Sequence, residues 1–262
     1  MHILTTTIMS LYSFAPGLAD KFYGFFGKCV RGYHLLNLDP IKESVWETIN
    51  TQVLTHSGCT VFSQASGSHS PGSDISSSVG NFSNKSVKYE SSLHNHMNIS
   101  SYRLTAVCSA GTPGNISEIV AEINNKKNFQ YYSIIARDES LEEIHYDWIV
   151  LPADHPAVNP ASYMWMPMIG KRGKNKDMQI GWKTDVINGS SMSITFSMSS
   201  QLWISVSITD EMKHTFTVAS THAKKKTIMD YVQLANIYPE EVDVPLSALA
   251  MLAAVASATD TV

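Results

Sequence analysis

Asp74, Lys85 and Lys88 are residues whose types and spacing could support chemistry on a phosphate group. The acid stands in one short strand-like run and both lysines stand in the next, separated by the turn signal Val79-Gly80-Asn81. Glycine and asparagine tolerate positive φ, so the pattern predicts a hairpin. A carboxylate can hold Mg²⁺ against a phosphate oxygen while a nearby ammonium steadies the attacking water. We therefore predict a metal-dependent phosphodiesterase centred on Asp74.

Two registers of the second strand are open, because side chains alternate between the two faces of a sheet. One register directs Ser86 and Lys88 to the metal side and buries the apolar residues that follow each of them. The other directs Lys85 there and buries Asn84, whose amide would cost about 1–3 kcal/mol if it found no partner. The hydrophobic pattern therefore favours Lys88 as the active lysine, with Lys85 as the alternative.

A helix predicted over residues 41–56 precedes this stretch and carries a further acid, Glu47. The apolar residues of this segment recur at three- and four-residue spacing, which is typical of an amphipathic helix. Asp39 is suited to the N-cap, and Pro40 is suited to the first helical position. Glu43 and Glu47 are four residues apart, so they are expected on the same side of the helix.

The run Ser73-Asp74, followed after eleven residues by Ser86-Val87-Lys88, resembles the PD-(D/E)XK signature of nucleases, as type II restriction endonucleases use it. The resemblance extends over residues 47–103, and it includes a supporting acid on a preceding helix. Two positions depart from the signature. Serine 73 replaces its proline, and serine 86 replaces its second acid, or Ser83 does so if Lys85 is the motif lysine.

This resemblance implies a Mg²⁺-dependent, sequence-specific endonuclease that hydrolyses phosphodiester bonds of double-stranded DNA and leaves 5′-phosphate ends. Asp74 and Glu47 would bind the Mg²⁺. Lys88 or Lys85 would orient or deprotonate the attacking water, with Ser86 in the position of the second acid. The resemblance also implies a cytoplasmic enzyme of a bacterial restriction–modification system, which could act as a homodimer.

Basic, histidine and amide side chains elsewhere in the chain are candidates for contacts with DNA. Lysine suits phosphates, whereas arginine, asparagine and glutamine suit the edges of bases. The candidates are His69, His94, His96, Arg103, Lys171, Arg172, Lys174, Lys176, Lys183, Gln201, Lys224 and Lys225. A zinc half-site is an alternative role for His94 and His96, but no cysteine, histidine or aspartate follows them at a suitable spacing.

The order of helix-like and strand-like segments predicts an α/β fold, with a mixed central β-sheet flanked by helices and a β-rich C-terminal half. Residues 1–151 would form the catalytic core, and residues 152–262 would form a β-rich recognition part packed on the same core. Asn188-Gly189 is the strongest hairpin signal in the chain. It links a predicted strand at 179–186 to a run at 192–208, whose alternation gives one apolar side and one side rich in serine and threonine.

The composition is that of a well-buried globular protein, since 44% of the 262 residues are hydrophobic and 16% are charged. The net charge of −4 argues against a generally basic nucleic-acid coat, although a local basic groove can still neutralise phosphates. Three widely spaced cysteines without a CxxC pair favour a reduced, cytosolic setting. No uncharged run of 18 apolar residues occurs, so no membrane span is expected. A non-catalytic β-rich binding or structural protein is the alternative function.

Overall fold

The computed structural model describes residues 15, 17–64, 72–91, 93–109, 114–139 and 142–237. Its helices are α1 (Ala19–His34), α2 (Glu43–His56), α3 (Ile116–Lys126), α4 (Asp210–Phe216) and α5 (Tyr231–Ile237). Its strands are β1 (Val61–Gln64), β2 (Ile75–Ser77), β3 (Gly80–Lys88), β4 (His96–Arg103), β5 (Tyr131–Asp138), β6 (Glu143–Pro152), β7 (Trp165–Ile169), β8 (Gln179–Thr184), β9 (Ser191–Thr195), β10 (Gln201–Ser207) and β11 (Thr217–Lys224). Among the helices in these ranges, none has both the length and the apolar character that a membrane crossing needs.

Six strands form a mixed sheet in the order β1-β2-β3-β5-β6-β11, and five form an antiparallel sheet in the order β4-β10-β9-β8-β7. In the mixed sheet β3 and β5 run parallel, whereas the other neighbours run antiparallel. Parallel neighbours need a crossover, and here the chain forms β4 and α3 between the two strands. The predicted α/β class with a mixed central sheet is confirmed.

Two apolar cores lie on opposite faces of the mixed sheet. In one core, α1 and α2 pack on the sheet through large side chains that include Phe26, Trp46 and Trp148. In the other core, the antiparallel sheet and α3 cover the opposite face. β5 is covered on both sides, because Ile134 belongs to one core and Ile135 to the other. This double burial explains why β5 reads as a continuous apolar run instead of an alternating one.

The predicted helix is present as α2, but its predicted start is wrong. α2 begins at Glu43, and Asp39 lies outside it, so this acid is not the N-cap. The reason is that tertiary contacts hold Ile41 before the helix. The N–H of Ile41 donates to the hydroxyl of Tyr146 at 3.2 Å, and its carbonyl accepts from the hydroxyl of Ser86 at 2.7 Å.

Both predicted hairpins are present. β2 and β3 pair antiparallel, with Ser77 opposite Gly80 across a two-residue turn. β8 and β9 pair antiparallel on either side of Asn188 and Gly189, whose φ values are +49° and +77°. Positive φ at both central residues is typical of the type I′ turn, whose twist matches that of the strands.

The run predicted at 192–208 is two strands instead of one. β9 ends at Thr195, and β10 begins at Gln201 and pairs antiparallel with it. Serines build the connecting turn, in which the hydroxyl of Ser200 accepts from the N–H of Ser197 at 3.0 Å. The predicted alternation holds within each strand, so the apolar side faces the core and the serine-rich side faces outward.

The two halves of the chain share both sheets. β11 of the C-terminal half pairs with β6 at the edge of the mixed sheet, and β4 of the N-terminal half pairs with β10 in the antiparallel sheet. β6 itself runs across residue 151. A functional division at that residue stays a prediction, and each half contributes a strand to the other half's sheet.

Candidate active site

Asp74 lies immediately before the first residue of β2, and its side chain continues the pairing with β3. The backbone N–H of Asp74 donates to the carbonyl of Phe82 at 2.8 Å. Its Oδ2 then accepts from the backbone N–H of Asn84 at 2.5 Å and from the hydroxyl of Ser83 at 3.3 Å. These bonds fix the carboxylate beside the part of β3 that extends beyond β2.

The chain reaches Asp74 through a glycine whose replacement would disturb this geometry. Gly72 has a φ of +85°, a left-handed conformation that favours glycine. It packs against the carbonyl of Lys126 and the side chain of Asn128, just beyond α3, and a Cβ at this position would overlap both groups. The position of Asp74 therefore depends on close contact between this loop and the end of α3.

Lys85 is the lysine that the structure places beside Asp74. Its side chain is 11% exposed, and its Nζ lies 2.7 Å from Oε1 of Glu43 on α2. The Lys88 side chain is 56% exposed, with its Nζ 4.0 Å from Glu139. Residues three apart on a strand face opposite sides, so Lys88 cannot share the position of Lys85. The register expected from the sequence is not the one found.

Ser86 is also directed away from Asp74. Its hydroxyl donates to the carbonyl of Ile41 at 2.7 Å and accepts from the guanidinium of Arg137 at 3.0 Å. Arg137 in turn pairs with Glu139 at 2.7 Å. Ser86 and Lys88 therefore belong to a polar network on the other side of β3, and Ser83 is the serine that contacts the acid.

The expected register of β3 is wrong because this strand is covered on both faces. Val87 lies in the core beneath the antiparallel sheet, while Asn84 is buried beneath α2. The Oδ1 of Asn84 accepts from the amide of Asn50 at 2.6 Å, whereas no hydrogen bond of its Nδ2 is found within the described residues. The same Asn50 amide also donates to Ser133 at 2.9 Å. The sequence alone presents burial of Val87 and burial of Asn84 as alternatives, but the fold buries both residues, on opposite faces of β3.

The Lys85 ammonium pairs with Glu43, and its charge also acts on Asp74 and Glu47. Burial raises the pKa of Asp74, and this effect outweighs Lys85 and the N–H of Asn84, which both lower that pKa. Burial also raises the pKa of Glu47, and the charges of Asp74 and Glu43 raise it further. Like-charge repulsion and burial both disfavour the ionised form of an acid. The site therefore carries more negative charge than its single lysine balances.

The three acids do not form a compact metal cage. Within the described ranges, the set of histidine, cysteine and acidic ligand atoms that lie within 4.8 Å of one another is His94, His145 and Asp147. A cation at Asp74 would therefore be held by one or two carboxylates, with water in its remaining positions. This is the arrangement that Mg²⁺ commonly takes in proteins.

The candidate DNA contacts are spread over several parts of the surface. Four basic residues between β7 and β8 are exposed, and so are Lys183 on β8, Arg103 at the end of β4, and the lysines at the end of β11. The four are Lys171, Arg172, Lys174 and Lys176. Lys225 donates to the carbonyl of Glu139. None of these residues is among the groups that contact Asp74 or Lys85.

The remaining candidates have other surroundings. Nε2 of His96 lies 2.9 Å from the hydroxyl of Ser205, and the amide of Gln201 donates to the carbonyl of Ser101 at 3.0 Å. These two side chains link neighbouring strands of the antiparallel sheet. His94 lies in the turn before β4, so it does not share a strand with His96. His69 lies outside the described residues.

Sequence reasoning missed two sets of residues. The sequence predicts no separate role for Glu43, although its spacing of four residues from Glu47 indicates that both acids face the same element. His145 and Asp147 stand two apart on β6, and they approach His94 across a long sequence separation. Nothing local to His94 predicts that approach.

No protein-family model, curated protein or solved structure matches the chain. The resemblance to PD-(D/E)XK nucleases therefore stays a prediction, which rests on the residues of this site.

Proposed function

We propose that the protein is a Mg²⁺-dependent endonuclease of the PD-(D/E)XK kind that cleaves double-stranded DNA. The observation that carries the proposal is the convergence of Asp74, Glu47 and Lys85 from three separate parts of the chain, where β3 extends beyond β2. Two carboxylates and an ammonium are groups that phosphodiester hydrolysis requires. In this assignment Lys85 is the motif lysine, and Ser83 stands where the signature has its second acid.

The donor atoms of this cluster fit Mg²⁺, which prefers oxygen ligands and retains several waters. Oδ2 of Asp74 is bonded to the N–H of Asn84, whereas within the described ranges no hydrogen bond to Oδ1 is found. Glu47 is the second carboxylate in reach of the same charges. When bound, Mg²⁺ would neutralise a phosphate oxygen and lower the pKa of a coordinated water.

Lys85 is the residue assigned to the attacking water. Glu43 holds its ammonium at 2.7 Å, so Glu43 is a positioning residue that restricts the lysine to one orientation. The ammonium would donate a hydrogen bond to the water as its oxygen attacks phosphorus. The bond from phosphorus to the 3′ oxygen breaks as the bond to the water oxygen forms. The attacking water releases a proton to solvent and the 3′ oxygen takes one up from solvent, which gives a 5′-phosphate and a 3′-hydroxyl.

Recognition of DNA is assigned to the outward face of the antiparallel sheet and to the basic turn between β7 and β8. The outward face presents Trp203, Ser193 and Ser205, and the turn presents four exposed cationic residues. Lysine and arginine bind phosphates and the edges of guanine bases, while serine and threonine hydroxyls can hydrogen-bond with several kinds of base. A sequence-specific restriction enzyme in the bacterial cytoplasm, acting as a monomer or a homodimer, is part of this proposal.

The test is cleavage of phage DNA by the purified chain, in Mg²⁺ and in EDTA, with matched variants. We expect discrete fragments in Mg²⁺ alone, and a loss of about 100-fold or more in rate for Asp74→Asn and for Lys85→Met. Lys88→Met is the matched control, because it removes an exposed ammonium from the other face of the same strand. It should cleave at a rate close to that of the wild type.

Two results would overturn this proposal. DNA that stays uncleaved across several salts and divalent cations would contradict the nuclease function. An equal loss of cleavage rate in Lys85→Met and Lys88→Met would contradict the role assigned to Lys85. A non-catalytic β-rich binding protein is the second candidate, because the exposed Trp203 lies among serines on a sheet face that no described element covers. That function predicts binding without cleavage, unchanged in Asp74→Asn.

A further inference from the structure

The turn before β4 brings His94 against two residues of β6. None of these three residues belongs to the proposed Mg²⁺ site around Asp74. One ligand atom from each of His94, His145 and Asp147 lies within 4.8 Å of the other two. Nε2 of His145 is 2.9 Å from Oδ1 of Asp147, and the rings of the two histidines stack with centroids 5.6 Å apart. Two imidazoles and a carboxylate are a ligand set that zinc enzymes use, with a fourth position open to water.

Neighbouring strands orient the carboxylate of this cluster. Asp147 lies opposite Ser220 of β11, whose hydroxyl donates to Oδ1 at 2.5 Å. Oδ2 accepts from the hydroxyl of Tyr89 at 2.7 Å, and Tyr89 also stacks on the ring of His94. Hydrogen bonds of this kind fix a metal-binding carboxylate and are a regular part of such sites.

His94 is oriented in a similar way. Its Nε2 is hydrogen-bonded to Asp138, which lies opposite His145 in the pairing of β5 with β6. The backbone of His94 has a φ of +50°, a region that costs energy for residues other than glycine. Such a conformation persists where surrounding contacts determine it, and it recurs at ligand sites.

The spacing of these groups is close to what a shared ion requires. Tetrahedral ligands about 2.1 Å from zinc are about 3.4 Å from one another. The His145–Asp147 pair, at 2.9 Å, would need to open by about half an ångström. His94 lies within 4.8 Å of both, so it would need to move inward by at most about 1.4 Å. Solvent can reach the cluster, because the side chains of His145 and His94 are 36% and 21% exposed.

We infer that His94, His145 and Asp147 form a binding site for a divalent transition-metal ion of the Zn²⁺ class, with one position left to water. The ion would replace the proton shared by His145 and Asp147. It would also tie the connection between β3 and β4 to β6, at a place where the chain passes from one sheet to the other. The site is separate from the proposed Mg²⁺ site, and it does not depend on the proposed nuclease function.

The test uses the untagged full chain, freed of metal by chelation and then titrated with Co²⁺, whose tetrahedral complexes absorb visible light. We expect one Co²⁺ per chain, displaced by Zn²⁺, and a rise of several degrees in the melting temperature with either ion. His145→Ala and His94→Gln should each lower the affinity at least tenfold. His56→Ala, which changes an exposed histidine at the end of α2, and Asp74→Asn should retain the wild-type affinity.

A second test changes a nearby charge and leaves all three proposed ligands in place. The Lys213 ammonium lies 5.8 Å from the ring of Tyr89 and opposes a cation in the cluster. Lys213→Met should therefore bind Co²⁺ several-fold more tightly than the wild type. The inference fails if the wild type takes up no ion, if His94→Gln and His145→Ala bind as the wild type does, or if Lys213→Met does not bind more tightly.

Discussion

Asp74 is half-buried beside β3 and Asp147 is buried on β6, and burial has a different outcome at each. At Asp74 burial prevails, and the pKa of the carboxyl is raised. At Asp147 burial acts in the same direction, but hydrogen bonds from His145, Ser220 and Tyr89 outweigh it, and the pKa is lowered. The number of donors around a buried carboxylate therefore decides whether the protein is stabilised or destabilised by its charge.

The clusters around Asp147 and Asp74 therefore contribute differently to the stability of the fold. The Asp147 carboxylate is satisfied by the protein itself, so it stabilises the junction of β6 and β11. The Asp74 carboxylate accepts from one backbone N–H and one hydroxyl and has two other acids nearby. Unrelieved charge of this kind is typical of a site built for an external partner.

The largest expected effect is on the stable side of the comparison. Asp147→Asn should lower the free energy of unfolding by about 3 kcal/mol at pH 7, because a carboxamide cannot accept from all three donors. Urea denaturation in EDTA measures this loss. Glu211→Gln, an exposed change on α4, is the control and should stay within about 0.5 kcal/mol of the wild type. A loss below about 1 kcal/mol in Asp147→Asn would contradict the role given to these hydrogen bonds.

The second effect is smaller and has the opposite sign. Asp74→Asn should leave the free energy of unfolding unchanged or raise it by up to about 1 kcal/mol, because it removes a charge that burial disfavours. The amide oxygen can still accept from the N–H of Asn84. The same denaturation series measures it. A loss of more than about 1 kcal/mol would show that the Asp74 charge stabilises the fold.

The smallest effect is the dependence of these differences on pH. A lowered pKa gives stability that is complete above the ordinary aspartate value of 3.8 and is lost as pH falls through the folded pKa. The deficit of Asp147→Asn should therefore be constant from pH 4 to 6 and shrink below pH 3.8. It should also shrink as pH rises above 6.5, because Asp147 raises the pKa of His145. A raised pKa gives a penalty that develops as pH rises from 3.8 through the folded pKa.

The gain of Asp74→Asn should accordingly increase from pH 4 toward pH 7 and then level off. Chemical denaturation at half-unit intervals, with all three chains in the same buffers, measures both curves. Parallel curves for the two variants would contradict the opposite pKa shifts on which the comparison rests.

Much of the fold could be predicted from local sequence signals. Asn188-Gly189 and Gly80 each supply backbone conformations that few other residues adopt, so both hairpins were predictable without tertiary information. α2 was predictable from its apolar spacing. Its start was not, because the contacts of Ile41 with Tyr146 and Ser86 hold the preceding residues extended.

The candidate site was predictable in part. Asp74 and Glu47 were predicted together, but the choice of lysine depended on what covers each face of β3. That information lies in α2 and in the antiparallel sheet, and residues near Lys85 do not contain it. The approach of His94 to His145 has the same origin, since it depends on the pairing of β5 with β6.

The exchange of strands between the sheets has a consequence for the order in which the protein folds during synthesis. β4 pairs with β10, and Ser101 meets Gln201 across a separation of 100 residues. Until β10 leaves the ribosome, β4 has no partner strand in its own sheet, and the core that contains Met97 and Ile99 lacks the apolar residues of β10. High contact order of this kind slows folding and exposes the nascent chain to aggregation. The N-terminal half therefore cannot complete its fold before β10 is synthesised. The nascent chain should depend most on chaperones between the synthesis of β4 and that of β10.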